Sequence, residues 1–232
     1  MARDAEFGAA AEFARLAEEL HAAGGVQETV QAVAQFALQA VSCKYASVTL
    51  FANGLDPEFV ALTDLKLTQL RQREIEDREG PLTDTVERAE VILIPDISAE
   101  RRWSDQWRDD MVAAGILSAM HLPLTVEGRT QAVLSVYGER PHSFSADDLA
   151  VAHILARHAT VAIGTARRGE NLTQAVDARK LVGQAMGILM ERFDLDPDQA
   201  FDVLRRYSQT HNRKLRDVAQ DLIDTRHLPS NR

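Results

Sequence analysis

The sequence holds one cysteine, Cys43, among 232 residues. That excludes an internal disulfide and a cysteine-rich zinc site. Cys43 follows an apolar helical pattern and reads as a small packed hydrophobe. No stretch approaches the roughly 18 consecutive apolar residues of a membrane helix. The chain opens Met1-Ala2-Arg3-Asp4-Ala5-Glu6, with acids where a secretory signal has a basic start and an apolar run. The expectation is a cytoplasmic protein without membrane contact. Also missing are a Gly-Lys-Ser/Thr phosphate loop, a Gly-rich dinucleotide fingerprint and a Gly-x-Ser-x-Gly elbow. Asp109-Asp110 and Asp147-Asp148 are adjacent pairs that point apart on a helix, so they do not read as a cooperating acid and base. The seven histidines form no metal-type pair; His153 and His158 are five apart. The chain is expected to be no enzyme and to hold no metal.

Hydrophobic residues make up 45% of the chain, enough for a real core. The net charge of −9 is uneven. Residues 171–232 hold ten Lys+Arg and nine Asp+Glu, a net of +1, whereas residues 1–170 hold 16 and 26, a net of −10. Such asymmetry suggests two parts with different jobs.

Residues 4–22 read as an amphipathic helix with Phe13, Leu16 and Leu20 on one face, ended at Gly24-Gly25. A second helix carries Val26, Val30, Val33, Ala34, Ala37 and Val41 on one stripe. The period then falls to two. Strands are expected over 45–51, 59–62, 91–94, 119–126 and 131–137, with turns at Asn53-Gly54 and Glu127-Gly128. A charged helix is expected over 65–78 and a short one over 82–89. Trp103 and Trp107 are placed four apart on one helical face. Hairpin-linked strands among helices indicate an α+β domain with a largely antiparallel sheet.

From Ala146 to about Phe193 there is no proline, which reads as one long helix or two set nearly end to end. Leu172, Ala175, Val182, Met186, Leu189 and Phe193 fall on spacings of three, four and seven. They read either as a connector packing on its own domain or as a parallel seam between two subunits. Asp196, Pro197 and Gln199 form a helix-start signal. The helix that follows turns Phe201, Leu204 and Tyr207 inward and breaks at Thr210-His211-Asn212. A last helix carries Leu215, Val218, Ala219 and Leu222, with a stop at Pro229. Around this three-helix core stand Arg179, Lys180, Arg205, Arg206, Arg213, Lys214 and Arg216. Seven cations with the last helix's N-terminus suit a phosphate backbone; from spacing alone, a solvated face paired locally with Asp202, Asp217 and Asp221 is the stronger reading.

The run Val182 to Met190 (Val-Gly-Gln-Ala-Met-Gly-Ile-Leu-Met), then Asp196, Ala200-Phe201, Leu204-Arg205, Ser208 and Asn212 to Ala219 (Asn-Arg-Lys-Leu-Arg-Asp-Val-Ala), resembles an ANTAR domain over about 170–226. Members are RNA-binding transcription antiterminators. The resemblance implies that a dimer holds tandem RNA stem-loops of a nascent transcript and so prevents the terminator from forming. It adds Gln184, Ser208 and Asn212 to the candidate RNA contacts. Met186 stands where the family often has Lys, and Ala185 and Gly187 read as small residues that permit close helix packing.

Glu79-Gly80-Pro81-Leu82-Thr83-Asp84-Thr85, Ile94-Pro95-Asp96-Ile97, Gly115-Ile116-Leu117-Ser118, Leu122-Pro123-Leu124 and the strand Ala132 to Tyr137 resemble a GAF domain over about 25–165. That implies a small-molecule sensor; Asp96, Trp103 and Trp107 are its candidate pocket residues, and the ligand stays unidentified. The organisation expected is an N-terminal helix at 1–24, an α+β GAF-like domain at 25–165 and an all-α, three-helix ANTAR-like domain with its connector helix at 166–228. Alternatively, the helical module docks a protein partner under the same control.

Overall fold

The computed structural model describes residues 24–227. The helix expected over 4–22 and the stop at Pro229 lie outside the described residues. The described chain forms seven α-helices and five strands and divides into two compact units between Arg167 and Arg168.

The first unit begins with α1 (Val26–Ala40), whose Val26, Val30, Val33, Ala34 and Ala37 are buried as their spacing predicts. Strands β1 (Tyr45–Asn53), β2 (Asp56–Leu62), β3 (Ile92–Ile94), β4 (Ser118–Val126) and β5 (Arg129–Gly138) form one sheet in the order β2-β1-β5-β4-β3. Every neighbouring pair is antiparallel. Pro57 extends β2 further than the sequence reading placed it; β2 is an edge strand, where a missing N–H is tolerated. Gly54, at φ +59°, makes the left-handed turn between β1 and β2.

Alternation sorts each strand between two faces. Ala46, Val48 and Leu50 share a face with Val136, Leu134, Met120 and Leu122. That face packs on α1 and on the first part of α5 (Ala146–Phe193), through Ala152, Leu155, Ala159 and Ile163. The opposite face carries Tyr45, Phe51, Val133 and Tyr137. It is roofed by α2 (Leu67–Asp77), α3 (Pro81–Arg88) and α4 (Asp105–Ala113). Each fully buried Leu, Ile or Val is worth roughly 1.5–3 kcal/mol against exposure. Cys43 is half-buried against the first core, and its thiol donates to the Ala37 carbonyl at 3.4 Å. Burial pushes that thiol up to about 12, so it is inert at neutral pH.

Helix α5 runs for 48 residues as one helix. Part of it is long and apolar enough by length and composition to cross a membrane, with a third of that stretch buried. The composition has a packing cause, since Ala152, Leu155, Ala156, Ala159, Ala162 and Ile163 are core residues of the sheet's covering layer. Arg167 fastens the end of this unit. It donates to Gln131 Oε1 at 2.6 Å and to the Phe51 carbonyl at 2.8 Å, and it pairs with Glu58.

Ser145 and Asp148 cap the start of α5 reciprocally. Ser145 N donates to Asp148 Oδ2 at 2.9 Å, and Asp148 N donates to Ser145 Oγ at 3.1 Å. Ser42 N also donates to Asp148 Oδ1 at 3.0 Å, which ties the α1–β1 connection to this helix. Burial opposes ionisation of Asp148, but the hydrogen bonds from Ser145 and Ser42 outweigh it and hold its pKa at about 2, below the usual 3.8. Because the folded value is depressed, the stabilisation is present above pH 3.8 and is lost as pH falls through about 2. Asp148→Asn is therefore expected to lower the melting temperature at neutral pH, with the gap to wild type closing across that window. A gap that stays constant from neutral pH to pH 2 contradicts this assignment.

Candidate functional site

The second unit is built on the end of α5, α6 (Pro197–Thr210) and α7 (Leu215–Thr225). Ala185, Leu189, Ala200, Leu204, Val218, Ala219 and Leu222 form its buried core. The expected start of α6 is present. Asp196 Oδ1 accepts from Gln199 N at 2.8 Å, Asp196 N donates to Gln199 Oε1 at 3.1 Å, and Pro197 begins the helix. Phe201 is not turned inward as its spacing suggested; it is 37% exposed, because Ala200 and Leu204, four apart, take the buried stripe.

The seven candidate cations do not stand alike. Arg205 pairs with Asp202 at 2.7 Å, Arg213 with Asp221 at 2.6 Å and Arg216 with Asp217 at 3.3 Å. Arg213 is half-buried and spans from the α6–α7 turn to α7, so it helps hold that turn. Arg179, Lys180, Arg206 and Lys214 are exposed, with no acidic partner among the described residues. Lys214 also precedes α7, whose first N–H groups receive no side-chain cap.

Gln184 is exposed on α5, whereas Ser208 and Asn212 build the turn. Ser208 Oγ donates to the Arg213 carbonyl at 2.5 Å, and Asn212 adopts a left-handed φ of 49°. Met186 is half-buried against the core, so its side chain is used for packing. Ala185 is fully buried, as a close helix approach needs. Gly187 is different: a Cβ there meets nothing within 4 Å, so it is not required for packing inside the unit. Of the expected subunit seam, Leu189 is spent in this core and Val182 and Met186 pack against it. Leu172 and Phe193 of that stripe are 68% and 59% exposed, and Val176, outside it, is 57% exposed.

In the first unit, the three residues expected to line a pocket serve separate roles. Asp96 Oδ1 accepts from Ser98 N at 2.9 Å and Ser98 Oγ at 2.6 Å, capping a short turn, and those hydrogen bonds lower its pKa. Trp103 lies before α4, not on it, because Ser104 caps that helix. Its Nε1 donates to Asp84 Oδ2 at 3.3 Å, and its ring meets Trp107 edge-on at 5.1 Å. Trp107 lines a cavity of about 30 Å³ with Leu70, Glu74 and Met111, room for a water or two.

The sequence reading missed a polar band on the roofed face of the sheet. Ser47, Ser135 and His121 lie in register across β1, β5 and β4, with Thr49 and Tyr137 in the neighbouring rows. Above the sheet, α2 carries Arg71, whose Nη1 donates to Glu74 Oε2 at 2.7 Å; both side chains are 5% exposed. Glu74 Oε1 accepts from Leu82 N at 2.7 Å. Burial pushes the Glu74 pKa up, against the pull of Arg71 and of the Leu82 N–H. His121 Nδ1 lies 2.9 Å from Ser135 Oγ. Burial, aided by Arg71, drives the His121 pKa well below its ordinary value, so the ring is neutral. Five buried atoms in this band have no hydrogen-bond partner among the described residues: Ser47 Oγ, Thr49 Oγ1, Arg71 Nε, His121 Nε2 and Tyr137 OH.

A GAF domain family model matches residues 23–164, and an ANTAR domain family model matches residues 170–223. The chain belongs to the GAF domain family. It carries an ANTAR domain after the GAF domain, and both are sensory or regulatory domains, not catalytic ones. It is thus a regulator that joins a sensor to an output domain.

No curated protein matches the chain. A bacteriophytochrome from R. palustris superposes with a TM-score of 0.56 at 15% identity, over 77% of this chain and 41% of that one. The GAF domain of a phosphoenolpyruvate-protein phosphotransferase from Coxiella burnetii gives 0.51 at 15% identity, over 70% and 96%. A GAF domain/HD domain protein from Geobacter sulfurreducens gives 0.50 at 14% identity, over 64% and 97%. At these identities the likeness establishes the fold alone.

Proposed function

We propose that this regulator is a cytoplasmic, RNA-binding transcription antiterminator. Residues 166–228, in a dimer, hold tandem stem-loops of a nascent transcript, the terminator cannot form, and polymerase reads on. The GAF domain, residues 25–165, controls this through a small-molecule effector. The observation that carries the reading is the ANTAR match over residues 170–223, on a unit where Arg179, Lys180, Arg206 and Lys214 lack acidic partners among the described residues. Such cations are available to phosphate oxygens, which fix register on a folded RNA. The exposed Leu172 and Val176 on α5 give a second copy an apolar strip to pack on. Two RNA-binding units then match two hairpins, and effective concentration strengthens the second contact. Ligand binding shifts the population of binding-competent chains by its differential affinity for the two states.

A second reading has the helical unit docking a protein, and it draws on the exposed rings of Phe193 and Phe201. Salt separates the two readings. Equilibrium binding of the full chain to a two-hairpin RNA is expected to weaken linearly with salt on logarithmic axes, through counterion release. Light scattering of the saturated complex is expected to weigh two chains per RNA. A partner held by apolar contact shows little salt dependence.

A further inference from the structure

We propose that Tyr207 and His211 form a stacking platform for one unpaired base of an RNA hairpin loop. The inference rests on the RNA-binding reading and deepens it, since it adds a contact that tells a loop from a plain duplex. The cations of this unit feel phosphates alone, and every nucleic acid carries phosphates. Recognising a stem-loop needs a group that meets what only the loop offers, a base outside a pair.

The two rings are stacked, with centroids 4.0 Å apart and planes 19° from parallel. Their spacing of four at the end of α6 puts them on one face, and a side chain there leans back over the turn before it. Tyr207 packs against the buried core of the unit, and His211 lies on Tyr207. Helix α6 stops at Thr210, and Asn212 turns the chain away at its left-handed φ of 49°. No further helical turn follows to lay a side chain over the imidazole, which leaves His211 as the outer member of the stack. It is half-buried, and among the described residues no third ring stacks on it.

The platform is held in place before any RNA arrives. His211 Nδ1 donates to the Tyr207 carbonyl at 2.9 Å, and His211 N donates to the same oxygen at 3.1 Å. A carbonyl only accepts, so Nδ1 carries the hydrogen and the ring has one orientation. The turn itself is closed without the imidazole: Arg213 N donates to the Ser208 carbonyl at 3.0 Å, and Ser208 Oγ donates to the Arg213 carbonyl at 2.5 Å. A ring already ordered loses little freedom on binding. Lys214, exposed and without an acidic partner among the described residues, follows three residues later, at most about 11 Å along the chain. One turn thus offers a flat face to a base and an ammonium group to a phosphate of the same loop.

The test uses the full chain, a two-hairpin RNA with the fluorescent base 2-aminopurine at each loop position in turn, and a blunt RNA duplex of equal length. Two variants separate the ring from its hydrogen bond. His211→Asn keeps a side-chain donor at a turn that suits Asn but removes the ring; His211→Phe keeps a ring and removes the donor. Wild type and His211→Phe are expected to quench the fluorescence of one loop base. His211→Asn is expected to lose that quenching and to bind the hairpins about tenfold more weakly. Affinity for the duplex is expected to be the same for all three, and circular dichroism is expected to match. Hairpin and duplex affinity falling together in His211→Asn overturns the platform and leaves the RNA reading standing. So does His211→Phe failing as badly as His211→Asn, which makes the hydrogen bond the cause, and so does hairpin affinity that neither variant changes. Wild type that binds neither RNA at low ionic strength overturns the RNA reading itself, and the platform with it.

Discussion

Replacing Arg179, Lys180, Arg206 and Lys214 together by Gln is expected to lower affinity for a two-hairpin RNA on the order of 100-fold at moderate salt. The four side chains are exposed, so the fold should be untouched, and circular dichroism should match wild type. The log–log salt slope is expected to shrink by about three to four, roughly one unit for each phosphate contact removed. The triple change Arg205→Gln, Arg213→Gln, Arg216→Gln is the informative comparison. Those three carry Asp202, Asp221 and Asp217 beside them, so each pair adds little net field for a phosphate to feel. Its loss of affinity is expected to be smaller, and the part due to Arg213 comes with a loosened α6–α7 turn. Equal losses from the two variants would contradict the division between free and paired cations.

Leu204→Ala is expected to unfold the ANTAR domain while sparing the GAF domain. Leu204 is fully buried, one of seven buried core residues among the described residues of this unit, and a Leu→Ala change in such a place costs about 2–5 kcal/mol. A domain this small has little margin to absorb it. The two tryptophans, Trp103 and Trp107, both lie in the first unit, so their fluorescence reports on that unit alone. The variant should lose helical signal well below the wild-type transition, with the tryptophan transition unmoved and RNA binding abolished. Helical and tryptophan signals that shift together would show that the two units melt as one.

Much of this architecture was legible in the residues. The capping box at Asp196 and Gln199, the absence of proline through α5 and the alternation in β1 each have a local physical cause, and each element is present. What failed locally was decided by tertiary packing. In β1 the alternation of Tyr45, Ser47, Thr49 and Phe51 against Ala46, Val48 and Leu50 separates two faces but does not say that the first is roofed. The sequence reading of α2 as a charged helix did not place its charges, and Arg71 and Glu74 are buried, because the roof is supplied by elements distant along the chain. One signal was available: opposite charges three apart on a helix, with Ser, Thr and His recurring on the same side of neighbouring strands. Trp103 and Trp107 looked like helical neighbours by spacing alone, and Ser104, a strong N-cap between them, was the residue that decided otherwise.

In the ANTAR domain, the motif placed the right segment but could not rank its cations. Ranking needs the carboxylates that fold back onto them, and the Arg213–Asp221 pair joins residues brought together only by the α6–α7 turn. Ser208 and Asn212 belong to that turn, so their motif positions have a structural cause of their own.

The salt titration of the full chain on paired two-hairpin RNA reaches the central claim most directly. The account predicts tight binding at low ionic strength, a straight log–log decline, and a shallower line once Arg179, Lys180, Arg206 and Lys214 are neutralised. Binding that ignores salt, or no binding to any hairpin pair at low ionic strength by a correctly folded chain, would contradict it.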